Sequence, residues 1–166
     1  LIAARQAWAQ AFGSTAQVDP ERLAVSFSPG MGCVTTVMDA WDTLRTKGPR
    51  RVAPTTVPAL MPNAPAATLA MEFTARAGAH APVSACASGA EAISYGADLI
   101  RLGRADVVVA GGCDDALHPL TVAGFAAMRA LSTNPDPAGA CRPFASDRDG
   151  FVLGQGAGAL VLEAES

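Results

Sequence analysis

The sequence predicts an α/β fold in which helices cover a sheet. Three observations predict it. The run "ADVVVAGG" (105–112) is continuously apolar and bounded by turn residues, the mark of a strand buried on both faces. Residues 87–102, just before it, carry apolar side chains at helical spacing. Strand and helix patterns alternate along the rest of the chain, which calls for helices packed on a sheet. The 166 residues fit one domain.

The elements follow in order. Ile2, Trp8, Ala9 and Phe12 recur near helical spacing, and Gly13 is a stop for that helix. Pro20 marks a turn, after which an apolar strand runs from Leu23 to Phe27. Residues 34–46 read as a helix with Val34, Val37, Met38, Trp41 and Leu44 on one face. Prolines at 49, 54, 58, 62 and 65 exclude long regular structure. That stretch holds few residues typical of disorder, so it reads as a packed loop leading into a helix near 64–77. "APVSA" (81–85) reads as a short strand. The helix over 87–102 turns Ala92, Ile93, Ala97, Leu99 and Ile100 inward. Beyond the central strand, 119–131 reads as a helix and 132–150 as a loop rich in proline, glycine and aspartate. Within that loop Arg142, Asp147, Arg148 and Asp149 read as bracing ion pairs and turn residues. "GQGAGALVLEAE" is a glycine-rich entry to a last strand.

Bulk properties exclude several classes. Half of the residues are hydrophobic and 16% are charged, which is too apolar for a disordered chain. The net charge of -3 gives no support for a nucleic-acid role. No apolar run reaches the roughly 18–20 residues of a membrane span, and no charged-then-apolar signal segment opens the chain. Cys33, Cys86, Cys113 and Cys141 are scattered without a CxxC pair, so neither a metal site nor a disulfide framework is expected. Reduced thiols in a cytoplasm are the simplest reading. The chain opens without methionine, in "LIAARQAWAQAF", which already reads as the interior of a helix. It is therefore expected to be a piece of a longer protein, with apolar surface left exposed.

Cys86 is the residue with a chemical reading. In "PVSACASG" an apolar run ends in a small-residue turn, the cysteine sits at the turn, and a helical pattern begins. Unpaired N–H groups and the dipole at a helix N-terminus favour the thiolate, the form that attacks. Small neighbours leave room for a substrate carbonyl, and N–H groups of the turn could stabilise an oxyanion. The arrangement is like the strand–nucleophile–helix elbow of hydrolases, with sulfur for oxygen. The alternative is a small apolar residue filling a tight core, the usual place of a cysteine. Position alone leaves the two readings level.

The stretches "APVSACASGAEAISYGADLIRLGRADVVVAGG", "GFAAMRALST" and "RPFASDRDGFVLGQGAGALVLE" resemble the β-ketoacyl-acyl carrier protein synthases, the elongating condensing enzymes of fatty acid and polyketide synthesis. "KGPRRVAPTTVPALMPN" matches the same family upstream, so the resemblance covers about residues 23 to 163 in the family's order. "MPNAPAATLAMEFTARAGAHAPVSACASG" further resembles an actinobacterial branch that extends very long chains for mycolic acids.

The resemblance implies a thiolase-like αβαβα layered fold, of which this chain supplies most of the first half, in a homodimer. The strand before Cys86 would lie near the two-fold axis, and segment 48–65 would contribute to the partner interface. It implies that Cys86 takes the acyl chain from acyl carrier protein as a thioester, with its backbone N–H in the oxyanion hole. Malonyl-carrier protein then supplies two carbons after decarboxylation. No cofactor is implied beyond the phosphopantetheine that carries the substrates. Met31 and Phe125 match acyl-pocket positions, and Lys47, Arg50, Arg51 and Arg129 are candidates to receive the carrier protein. Two histidines and a lysine complete the chemistry in the family. His80 and His118 do not match them. Other readings are a chain-length-determining partner subunit and a coenzyme A-dependent thiolase. Departures are Gln155, where an acid is usual, Ser28–Pro29, where glycine-containing turns are usual, and a shortened "STNPDP" loop.

Overall fold

A computed structural model describes residues 1–13 and 18–165. Its centre is a four-stranded sheet in the order β2-β1-β3-β4. β1 (Leu23–Ser28) lies parallel to both β2 (Ala79–His80) and β3 (Val107–Asp115). β4 (Gln155–Glu163) runs antiparallel to β3 along nine paired residues. Every residue of β1 is buried, as are the first five of β3. Alternate residues of these two strands therefore feed two separate cores.

On one face Leu23, Val25, Phe27, Val107 and Val109 pack with Ala4 of α1 (Ile2–Phe12) and with Ala66 and Leu69 of α4 (Ala64–Glu72). Trp8 stacks on Phe73 at 4.8 Å between ring centroids and meets Phe12 edge-on, which closes the outer rim of this core. On the other face Ala24, Val108 and Ala110 pack with Leu99 of α5 (Ser88–Arg101). Burying each of these large aliphatic side chains stabilises the fold by about 1.5–3 kcal/mol. Helix, sheet and helix thus make three layers. The apolar run of 105–112 is the middle layer it was expected to be.

Several expected boundaries move. The helix expected near 64–77 ends at Glu72, because Thr74 adopts φ +54 and Ala75 N–H closes back onto Ala70 O at 2.9 Å. The strand expected over 81–85 is instead the two residues of β2; Pro82 has no N–H to give a ladder, and a tight turn starts at Ser84. The helix expected over 119–131 is α6 (Pro119–Ala127), ended by Arg129 at φ +56 with Ala130 N–H on Phe125 O. The proline-rich stretch holds a short helix α3 (Thr56–Leu60), and the long loop holds α7 (Pro137–Ala140).

The remaining expected helix forms as α2 (Val34–Lys47), but it has no buried residue. Of its apolar face, Val37, Trp41 and Leu44 are exposed. In α5 the buried positions are Ser88, Ala92, Gly96 and Leu99, while Ile93, Ala97 and Ile100 are half-buried. Ile2 is exposed, and the buried residue of α1 is Ala4.

The 132–150 loop is braced as expected, around Asp149. This carboxylate accepts from Ser132 Oγ at 2.7 Å, Thr133 N at 2.8 Å and Arg142 Nη2 at 3.3 Å. The Ser132 hydrogen bond is the chief cause that holds its ionisation below the ordinary aspartate range, and the Thr133 N–H adds to it. A carboxylate with a lowered folded-state pKa stabilises above the unfolded value, near 3.9, and the gain fades as pH falls through the folded value. Asp149→Asn is therefore expected to lower the melting temperature by a few degrees at pH 7. The gap to the unsubstituted chain should close on acidification below about pH 4, as read from thermal melts across that range. A gap that stayed constant with pH would show that the carboxylate charge is not what braces the loop.

Candidate active site

β1 ends at Ser28, paired to Gly112, while β3 runs on to Asp115 along β4. Ligands of open α/β sheets bind beyond the carboxyl ends of the strands, and the head of α5 lies over this end. A side chain at position 112 would meet Ser28 O at 2.8 Å and Gly89 Cα at 3.0 Å. Bare backbone at Gly112 is what lets α5 approach so closely, whereas a Cβ at Gly89 would reach Gly112 only at an ordinary 3.7 Å.

The chain reaches α5 through a tight turn. Ala87 N–H donates to Ser84 O, and Ser88 N–H donates to Ala85 O, both at 3.0 Å. Ala85 sits at φ +49, a left-handed conformation that costs a residue with a side chain on the order of 1–2 kcal/mol. The buried Ser88 hydroxyl holds it there. It donates to Ala85 O at 2.6 Å and accepts from Ser84 N at 2.8 Å. Cys86 follows at the apex, exposed, two residues before α5. Backbone held in an unfavoured region beside a reactive side chain is a recurrent property of catalytic turns.

Cys86 opens on a cleft of about 510 Å³ lined by Ser28, Gly30, Gly112, Asp114 and Leu160 among others. The Ser28 hydroxyl is buried with no hydrogen-bond partner among the described residues, which leaves a polar group unsatisfied at the cleft. Gln155, the other departure, begins β4 opposite Asp115.

The four cysteines separate by environment. Burial pushes the Cys113 thiol up, and the neighbouring Asp114 and Cys33 push it further. Cys33 is raised for the same first reason, with Asp114 and Asp115 adding to it. Both thiols are thus harder to ionise than an ordinary cysteine. Cys141 is exposed beside Arg142, Pro143 and Phe144, away from the Cys86 cleft.

Other candidates fall in several places. Met31 is adjacent to Gly30, but the residue is 47% exposed, and Gly30 is the cleft-lining residue of the pair. Phe125 packs edge-on against Phe151 at 5.0 Å, outside the lining of this cleft. Lys47, Arg50 and Arg51 are exposed on one segment, where α2 ends and a single 3-10 turn follows. Arg129 is exposed just past α6.

Neither histidine lines the Cys86 cleft. His80 tilts against Tyr95 at 5.0 Å, and burial first, then Arg104, holds its pKa below the ordinary value. His118 caps α6 by accepting Leu120 N–H on Nδ1 at 3.1 Å. Two residues escaped the sequence reading. Ser88 carried a local signal, a hydroxyl two residues after the cysteine. Asp114 carried none, because its partners are more than eighty residues away in sequence.

The whole chain, residues 1–166, matches the family model described as "Beta-ketoacyl synthase, N-terminal domain". The 3-oxoacyl-[acyl-carrier-protein] synthase 2 of Mycobacterium tuberculosis is 44% identical over 166 residues, covering 99% of this chain and 39% of the relative. A β-ketoacyl synthase crystal structure from Burkholderia phymatum superposes with a TM-score of 0.85 at 30% identity, over 99% of this chain and 40% of the other. A type II polyketide ketosynthase, solved in complex with its acyl carrier protein, superposes with a TM-score of 0.72 at 30% identity, over 89% and 38%. The chain spans about two fifths of the length of the curated relatives it matches.

Proposed function

The chain belongs to the β-ketoacyl synthase N-terminal domain family, and on that premise we propose that Cys86 is the acyl-accepting nucleophile of a condensing enzyme. The Cys86 thiolate attacks the thioester of an acyl group carried on acyl carrier protein. The carbon–sulfur bond to Cys86 forms, and the phosphopantetheine thiol leaves. The Cys86 N–H contributes to the oxyanion hole. Malonyl-carrier protein loses carbon dioxide, its carbanion attacks the new thioester, and Cys86 is released from a β-ketoacyl chain two carbons longer. The observation that supports this reading is an exposed cysteine on a strained turn at the head of a helix, opening on a cleft at the strand ends.

The remaining roles belong to the same proposal. Neither Met31 nor Phe125 lines the cleft at Cys86, so in this reading they border the acyl chain farther from the sulfur. The segment of Lys47, Arg50 and Arg51, with Arg129, receives the acidic carrier protein; exposed basic groups steer such a partner at long range. The substrates arrive on phosphopantetheine, so no separate cofactor is invoked. A second copy of the protein completes a homodimer, with segment 48–65 at the interface. The setting is the cytoplasm, where thiols stay reduced. No helix among the described residues is long and apolar enough to cross a membrane.

The test is peptide mass spectrometry of the full protein after incubation with an acyl group on carrier protein or on coenzyme A. An acyl mass on the Cys86 peptide from carrier protein is expected, slowed by added salt and by the double charge reversal R50E/R51E. Loading from coenzyme A alone would point to a thiolase. No loading from either donor would point to a chain-length partner subunit.

A further inference from the structure

At the end of β3 the Asp114 carboxylate uses both of its oxygens on consecutive backbone N–H groups of the loop after β1. Oδ2 accepts from Gly30 N at 2.7 Å, and Oδ1 accepts from Met31 N at 3.0 Å. Pro29 precedes them and offers no N–H. The next aspartate repeats the connection one step on: Asp115 Oδ2 accepts from Thr35 Oγ1 at 3.1 Å, in the first turn of α2. The clamped backbone leans on the nucleophile turn itself. A Cβ on Gly30 would meet both Asp114 Oδ2 at 2.7 Å and Ala85 O at 2.8 Å. Gly30 is thus packed close to both the carboxylate and the carbonyl of the residue before Cys86. Gly30, Ala85, Cys86 and Asp114 all line the same cleft.

We propose that Asp114 is a positioning residue that fixes one wall of the Cys86 cleft by clamping the Gly30–Met31 backbone against the Ala85 carbonyl, and so sets how long an acyl chain reaches Cys86. The proposal rests on the reading of Cys86 as an acyl-accepting nucleophile. A carboxylate suits the task because it only accepts hydrogen bonds and can satisfy both N–H groups at once. Asparagine offers one acceptor oxygen and turns an NH2 toward the second N–H, so the loop must leave the turn and the wall must open.

The experiment measures alkylation of the full protein by N-methylmaleimide and N-dodecylmaleimide, read at the Cys86 peptide by mass spectrometry. It needs neither carrier protein nor condensation. In Asp114→Asn the dodecyl-to-methyl rate ratio should rise by about fivefold, the scale of one lost hydrogen bond. Asp114→Glu, which keeps both acceptors, should stay within about twofold of the unsubstituted ratio. An unchanged ratio in Asp114→Asn, or an equal loss with both reagents, would overturn the proposal. A second arm needs no variant: the Gly30 and Met31 amides should exchange slowly with deuterium in the unsubstituted protein, and fast exchange there would overturn the clamp. The acyl series from carrier protein then tests the underlying reading. If Cys86 takes no acyl group from any donor, the reading as an acyl-accepting nucleophile fails. The maleimide ratio and amide exchange still decide the clamp on their own.

Discussion

Cys86→Ala is expected to abolish acyl uptake from carrier protein, a loss of about 10³-fold or more, while leaving the fold intact. Cys86 is exposed at the apex of its turn, and the turn is held by Ser88 rather than by the sulfur. Removing the thiol should therefore change stability by no more than about 0.5 kcal/mol, the range of surface substitutions away from structural features. The pair of measurements separates the two readings that position alone left level. A core filler would lose stability on truncation and leave chemistry alone; a nucleophile does the reverse. Acyl mass still found on the Cys86→Ala protein, at another cysteine, would move the nucleophile elsewhere. Cys33 and Cys113 are poor substitutes, since burial first, and then the charge of Asp114, raise the pKa of both thiols.

Gly111→Ala is expected to cost more stability than any surface change, more than about 4 kcal/mol, and to leave little folded protein. Gly111 lies within β3, paired with Phe27 of β1 and Ala159 of β4. Its φ of +151 is unfavourable for a side chain. A Cβ there would run into the Gly158 carbonyl and come within 3.0 Å of both Ala159 Cα and Phe27 Cε2. Two of these three neighbours are backbone, so relief requires parting β3 from β4. Gly124→Ala on α6 is the control, because a Cβ there meets nothing within 4 Å among the described residues. Helix propensity makes that change neutral or stabilising by up to about 1 kcal/mol. Urea melts of both variants give the comparison, and a Gly111→Ala chain as stable as the control would refute the close approach of β4.

The elements that read well from sequence are those whose signal is local. The apolar run of β3 and the helical spacing of α5 needed no partner to be recognised. The ends of α4 and α6 did not read, because each is set by one residue turning left-handed, Thr74 and Arg129. Neither is a glycine, so nothing in the pattern marked them. β2 was displaced from the apolar "APVSA" to Ala79–His80, since pairing with Val25 and Ser26 of β1 decides where that strand lies. The apolar face of α2 was legible as a face, but periodicity does not say what covers it, and Val37, Trp41 and Leu44 stand exposed.

The layered α/β class, the turn that carries Cys86 and the family to which the chain belongs were all legible before any coordinates. Each is written in short stretches, where neighbouring residues fix backbone direction and side-chain spacing. That Cys86 stands open on a cleft, what braces its turn and what walls that cleft emerged with the folded chain alone. Those depend on contacts such as Asp114 to Gly30 and Gly112 to Gly89. Partners that meet only when the sheet closes leave no mark on the residues beside them in the chain.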